Sequence, residues 1–346
     1  MGVQTQFNKF HDAIKLSKQD DVYKKAREKD DSITQDIKNA FKDANHPVIE
    51  DFIQGSFATD TAILKKNGDF DIDRAIVISY DDAPANPIPP KKIICDNVLE
   101  KRGFKNSKIK KPCVTADYTS ESLHIDFPLY RKIDDSYELS IGKRNSDEAN
   151  RRWESADPKG LKDWIKDKTS YWGSSVNKLN QFNRIVRYLK RWRDEKFSEE
   201  VGKKIYSIGI TVMAKHCFSP SFDDDGRAED LIAIKDTVSL MLSNGYFNDQ
   251  GNDQYKVSVY LPVTPWRDIF DGSSTNTSTQ FRNKLSNMKT KLDKAIAEDD
   301  EVKKCTILNE IFGDDFQIPE EKNTTTENNR RAIFSSSGAV GTSQGA

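Results

Sequence analysis

Between Gly55 and Ile78 the chain reads GSFATDTAILKKNGDFDIDRAIVI, with Asp69, Asp71 and Asp73 on alternate residues around Phe70 and Ile72. In a strand successive side chains turn to opposite faces, so the three carboxylates share one side. Carboxylates crowded together repel one another and lose hydration, a cost that a cation or a proton offsets. A divalent metal is one candidate. A solvated acidic strand end is the other, because short D-x-D runs are common on surfaces. A further Asp lies in SLHIDFPLY, where Leu123, Ile125, Phe127 and Leu129 alternate with His124, Asp126, Pro128 and Tyr130. Asp126 therefore projects from the face opposite the apolar row. Taken alone it reads as an exposed-face residue.

The elements that must position these groups follow from the surrounding pattern. Val3, Phe7, Phe10 and Ile14 recur at helical spacing, as do Ile33, Ile37 and Phe41 before His46-Pro47. VIEDFIQ leads as a strand into Gly55-Ser56, and the acidic strand continues as AIVI up to the loop DDAPANPIPP. IICDNVLEKRGF reads as a helix, and KPCVTADYT and SLHIDFPLYRKI as extended stretches. Farther on, QFNRIVRYLKRWRDEKF is a helix with an apolar stripe of Ile185, Leu189 and Trp192. Arg187, Lys190 and Arg191 make its basic face, which on spacing alone reads as solvated.

Composition limits what this chain can be. At 346 residues it exceeds one ordinary core, so two lobes are expected. The formal net charge of -1 leaves no global field to recruit nucleic acid or an anionic membrane, and any polyanion site must be local. Cys95, Cys113, Cys217 and Cys305 are dispersed without C-x-x-C pairing, which predicts reduced thiols and no zinc-thiolate site. No apolar signal core or span of transmembrane length is present, and Gln6 stands where a myristoylation signal has Ser or Thr. These features predict a cytoplasmic protein.

Taken in order, QGSFATDTAI, DFDIDRAIVI and HIDFPLY resemble the bacterial cGAS/DncV-like nucleotidyltransferases, which make cyclic oligonucleotide signals in anti-phage defence. RRWESADPKGLKDWI, from Arg151 to Ile165, is similar to the segment that follows the third carboxylate in that family. The likeness covers most of Val3 to Phe316. It implies an α/β (α+β) fold, with a polymerase-β-like nucleotidyltransferase lobe built on a mixed sheet and a C-terminal helical lobe. The expected division is a nucleotidyltransferase core with the N-terminal helices over 1–170, a helical lobe over 171–318 and a C-terminal tail over 319–346.

The resemblance assigns catalysis and metal binding to Asp71, Asp73 and Asp126, with two magnesium ions, or manganese in their place. Asp69 with Asp71 would preserve the same strand face. The pair Asp71 and Asp73 is preferred because the family's D-h-D runs directly into the apolar stretch. Gly55 and Ser56 would approach a triphosphate through backbone amides and the hydroxyl. Lys190, in an L-K-x-W context, and Ser207, at the start of SIGITVMA, match positions that contact the donor triphosphate in the family. Many relatives place an aromatic residue directly after that Ser. Here it is Ile208, so stacking falls to another residue such as Tyr206. His124 and His216 read as structural.

The implied activity is template-independent synthesis of a cyclic di- or trinucleotide from NTPs such as ATP and GTP, with release of pyrophosphate. A nucleotidyltransferase making linear products or modifying RNA shares every ligand, and an inactive nucleotide-binding module is the remaining alternative. The expected partners are an effector that senses the product and a ubiquitin-transfer-like ligase that conjugates the C-terminal carboxylate of Ala346. No membrane association and no stable nucleic-acid binding are expected.

Overall fold

Ten consecutive residues, FDIDRAIVIS, form β2 (Phe70–Ser79), the strand on which the sheet is organised. Its apolar half, from Ala75 to Ile78, is wholly buried, as expected for a strand covered on both faces. The computed structural model describes residues 2–66, 68–168 and 175–320. Ala346 and most of the expected tail lie outside them.

The strands β1 (Val48–Gln54), β2, β3 (Lys108–Ile109), β4 (Val114–Tyr118), β5 (Leu123–Phe127), β6 (Leu129–Ile133), β7 (Ser136–Ile141) and β8 (Arg152–Ala156) make one mixed sheet. Its order is β3-β4-β5-β2-β6-β7-β8, with β1 antiparallel to β2. Pro128 splits what reads as one extended run into β5 and β6. Each half pairs parallel with its own half of β2, Phe70–Asp73 against Leu123–Asp126 and Ile76–Ser79 against Leu129–Lys132. Proline has no N–H for the ladder, but its carbonyl accepts from the Ile76 amide at 3.0 Å, so the sheet is not interrupted.

Helix α1 (Val3–Ile14) is followed by α2 (Asp21–Asp43), and α3 (Gly55–Ala58) is a single turn between β1 and β2. α4 (Ile88–Lys92) runs into a π-helical stretch at Ile93–Leu99, and α5 (Pro158–Lys166) follows the sheet. The rest is mainly helical: α6 (Val176–Lys196), α7 (Glu199–Gly202), α8 (Ser207–Cys217), α9 (Asp230–Ser243), α10 (Thr275–Ala297) and α11 (Glu301–Phe312). A hairpin of β9 (Phe247–Gly251) and β10 (Gln254–Val257), absent from the sequence reading, is paired within this part. Among the described residues no helix is long and apolar enough to cross a membrane.

There are two principal cores. One joins α2 to the sheet through Ile33, Ile37, Phe41, Ile72, Ile76 and Ile125. The other gathers α6, α8, α9, α10 and α11, and it also contains Phe7, Phe10 and Ile14 of α1. The expected division puts both N-terminal helices with the first unit. The structure instead packs α1 with the helical one, where Phe7 and Phe10 meet Tyr188, Phe312 and Phe316. Aromatic residues on both partners explain the allegiance: each ring buries far more apolar area against other rings than a polar sheet edge would offer.

Candidate active site

A cleft of about 510 Å³ between the two cores is lined by Gly55, Ser56, Asp71, Asp73, Asp126, Lys190 and Ser207. All seven residues singled out as nucleotide- or metal-binding therefore face one space. Asp69 precedes β2 and is not among the lining residues, whereas Asp71 and Asp73 are.

Register explains the meeting of the carboxylates. Parallel pairing of β2 with β5 sets Asp73 directly beside Asp126 and Asp71 beside His124. Two residues that pair across a sheet on one face have Cβ atoms only about 5 Å apart. Burial, followed by the charges of Asp126 and Asp71, pushes the Asp73 carboxyl up to about 7. The acid cluster thus favours a proton or a cation at its centre. Lysine ammonium groups already answer its outer members. Lys65 Nζ lies 2.8 Å from Asp71 Oδ2, and Lys110 Nζ lies 3.3 Å from Asp126 Oδ1. The Thr115 hydroxyl also donates to Asp126 Oδ1.

Three neighbouring carboxylates, one of them with a raised pKa, fit a hard divalent ion such as magnesium, which prefers oxygen ligands. Among the described residues, the group whose ligand atoms all lie within 4.8 Å of one another is Cys95, Asp96 and Glu100, which does not line the cleft; the three cleft aspartates do not draw together that closely. There Arg144 reaches Asp96 Oδ2 at 2.9 Å and Cys95 Sγ at 3.2 Å, so a guanidinium already satisfies it.

Gly55 sits where β1 ends, one residue beyond Gln54, the partner of Asp73. Its φ of +67° favours glycine, and a Cβ built there would stand 2.1 Å from Asp73 Oδ2. Only a residue without a side chain lets this turn lie against the carboxylate. Ser56 follows in the first turn of α3, on the cleft wall.

The basic face of α6 is not solvated. Arg187, Lys190 and Arg191 are 8 %, 4 % and 3 % exposed. They clasp the segment before the acidic strand. Arg187 donates to the carbonyls of Asp60 and Ala62 at 2.6 and 3.0 Å, Lys190 to the carbonyl and hydroxyl of Thr61 at 2.9 and 3.1 Å, and Arg191 to the carbonyl of Leu64 at 2.7 Å. Helical spacing identified the face but not its occupant, because loop carbonyls leave no trace in side-chain patterns. Burial, with Arg193 and Arg187 nearby, lowers the Lys190 ammonium to about 7.

Ser207 begins α8 as expected, and its Oγ accepts from Arg193 Nη1 at 2.7 Å. Asp194 holds the same guanidinium through Nε and Nη2. Because Ser207 Oγ accepts from Arg193, its hydroxyl proton is left to donate elsewhere. Arg193, Lys65 and Lys110 escaped the sequence reading. A signal for Lys65 existed in its place a few residues before the acidic strand. Tyr206 is 43 % exposed and packs on Phe270 at 5.7 Å, outside the lining residues. His124 and His216 contact Asp117 and Tyr246. The four cysteines are free and buried.

Residues 1–169 match the Second Messenger Oligonucleotide or Dinucleotide Synthetase domain. That match covers just under half of the chain, and the fold is that of the solved cGAS/DncV-like nucleotidyltransferases it superposes on. A cyclic GMP-AMP synthase of Escherichia albertii is 26% identical over 227 residues, which are 63% of this chain and 48% of that protein. The chain spans about half the length of this curated relative. Among solved structures, the Bradyrhizobium diazoefficiens CD-NTase CdnG in complex with GTP superposes with a TM-score of 0.69 at 14% identity, covering 91% of this chain and 96% of that one. The Vibrio cholerae DncV cyclic AMP-GMP synthase with a linear intermediate gives 0.60 at 20% identity, over 78% and 69% of the two chains.

Proposed function

We propose that this chain joins nucleoside triphosphates, without a template, into a cyclic di- or trinucleotide signal and releases pyrophosphate. The observation that carries the reading is the meeting of Asp71, Asp73 and Asp126 with Gly55-Ser56 and Lys190-Ser207 around one cleft. The relatives lend it weight, since one is a cyclic GMP-AMP synthase and others are described with GTP or a linear intermediate.

In this reading Asp71, Asp73 and Asp126 hold the divalent ions. When bound, these ions lower the pKa of the attacking hydroxyl and stabilise the departing pyrophosphate. The chain's own groups then bind and orient. The turn at Gly55-Ser56 offers amides and a hydroxyl to phosphate oxygens, and Ser207 offers the proton that Arg193 leaves free. Lys190, held by Thr61, contributes positive potential at short range rather than a mobile contact. A ribose hydroxyl of the acceptor forms a new O–P bond to the donor's α-phosphorus. The bond to pyrophosphate breaks, and the hydroxyl proton passes to solvent water. Ring closure repeats the step on the linear product. A role in anti-phage signalling, through an effector that senses the product, belongs to the same proposal.

The test is mass spectrometry of the products formed from all four NTPs with magnesium. A product resistant to phosphatase is expected, at the mass of two nucleoside monophosphates less two waters or of three less three waters, one water lost per linkage. Products that phosphatase degrades would favour the linear alternative.

A further inference from the structure

Two lysines pair with different members of the acid cluster, Lys65 with Asp71 and Lys110 with Asp126, and each stands at a hydrogen-bonded turn. Lys65 starts a turn closed by the Lys65 amide on the Asp69 carbonyl at 3.1 Å and by the Gly68 amide on the Lys65 carbonyl at 2.9 Å. The root of that turn is fixed by Arg191 on the Leu64 carbonyl. The turn returns Lys65 beside Asp71, its partner at 2.8 Å. Lys110 follows β3 on a turn closed by its amide on the Cys113 carbonyl at 2.9 Å. Beneath it, the fully buried Lys91 donates to the carbonyls of Lys110, Lys111, Ser140 and Gly142 at 2.8, 2.9, 3.3 and 2.9 Å. A caged lysine of this kind pins the turn that aims Lys110 at Asp126.

The two ammonium groups occupy carboxylate oxygens that a divalent ion would need. Each is itself partly open to solvent, 37 % and 47 % exposed, so it can swing aside without unpacking a core. An exposed ion pair is individually weak and readily exchanged. A bare divalent ion must nevertheless displace both cations and leave them unpaired beside its own charge. An ion arriving with a triphosphate meets no such opposition, because the phosphate oxygens receive the displaced ammonium groups.

We propose that Lys65 and Lys110 act as internal counter-cations that hold the acidic cluster against free divalent ions, so that the ion enters together with a nucleoside triphosphate whose phosphates take over the two ammonium groups. This inference rests on the assignment of Asp71 and Asp126 as metal ligands.

Electron paramagnetic resonance of free Mn2+ reads the effect directly and needs no turnover. Without nucleotide, the full chain carrying Lys65→Gln and Lys110→Gln is expected to bind Mn2+ roughly a hundredfold more tightly than wild type, about tenfold per removed charge. Each single variant is expected to fall between. With a non-hydrolysable NTP present, the advantage of the double variant should shrink to a few-fold. Unchanged or weaker binding of Mn2+ by the nucleotide-free double variant would overturn the inference. Adding Asp71→Asn and Asp126→Asn to that variant should abolish the gain. A gain that survived them would place the ion elsewhere and overturn the inference as well. Failure of the ligand assignment itself would show separately, as wild-type protein whose Mn2+ affinity with the NTP analogue is untouched by the two Asp→Asn changes.

Discussion

At the scale of single residues, the sharpest constraint is the contact between Gly55 and Asp73. Gly55→Ala would impose both a left-handed backbone on a residue with a Cβ, at about 1–2 kcal/mol, and a collision with the Asp73 carboxylate. We expect synthesis to fall by at least about tenfold while the protein stays folded, checked by pyrophosphate release alongside thermal melting. A fully active Gly55→Ala enzyme would separate this turn from the chemistry. Asp69→Asn, one alternation before the pair, is expected to keep activity within about threefold. An inactive Asp69→Asn would move the ligand register by two residues. Lys190 illustrates the limit of reading a residue from its type. Its L-K-R-W context suggests a side chain free for phosphate, yet it is buried on Thr61, and its removal must be judged for stability as well as for binding.

At the scale of elements, the acidic strand is anchored from the face opposite its carboxylates. Arg74, directly after Asp73, is 6 % exposed and donates to Asp30 of α2 through Nε and Nη2, with further bonds to Asp31 and Asp51. Asp30 is fully buried, and its carboxyl is raised by that burial against the pull of Arg74. Arg27 also pairs with Asp30, so Arg74→Met leaves that buried carboxylate one guanidinium in place of two and should destabilise by roughly 1–3 kcal/mol in urea unfolding. Arg74→Met with Asp30→Leu is expected to recover a large part of that loss. A single variant within 1 kcal/mol of wild type would deny the anchor.

Much of this level was legible in the sequence. The alternation of Asp71, Ile72 and Asp73 gave a strand and its face, the 3.6-residue pattern gave α1, α2 and α6, and Ser207 marked the start of α8. Pairing order was not legible from pattern. That Asp126 stands beside Asp73, and not merely on a later strand, depends on a parallel register that no local sequence encodes. The clasp of α6 on Asp60–Leu64 was likewise hidden, since its acceptors are backbone carbonyls.

For the whole molecule, the allegiance of α1 ties the start of the chain to the helical core and brings His11 against the clasp. Arg187 Nη1 approaches His11 Nε2 at 3.0 Å. Burial, followed by the charges of Arg187, Lys15 and Arg184, lowers the His11 imidazole from 6.5 to about 4. Between these values the unfolded chain takes up a proton that the folded chain refuses. Stability from this site is complete above pH 6.5 and is lost as pH falls towards 4, by up to about 3 kcal/mol. His11→Gln should flatten that part of the stability profile. An unchanged acid slope in the variant would contradict the burial argument.

The account's central claim is that the carboxylates brought together by β2 and β5 carry the transfer of nucleotides. The direct test is magnesium-dependent pyrophosphate release from mixed NTPs by wild type and by Asp71→Asn with Asp73→Asn. These near-isosteric changes remove charge with little change of shape. The account predicts robust release by the first and a loss of at least about a hundredfold by the second, with its melting temperature preserved. Release by the double variant at wild-type rates, or none by the wild type with any NTP, would contradict it.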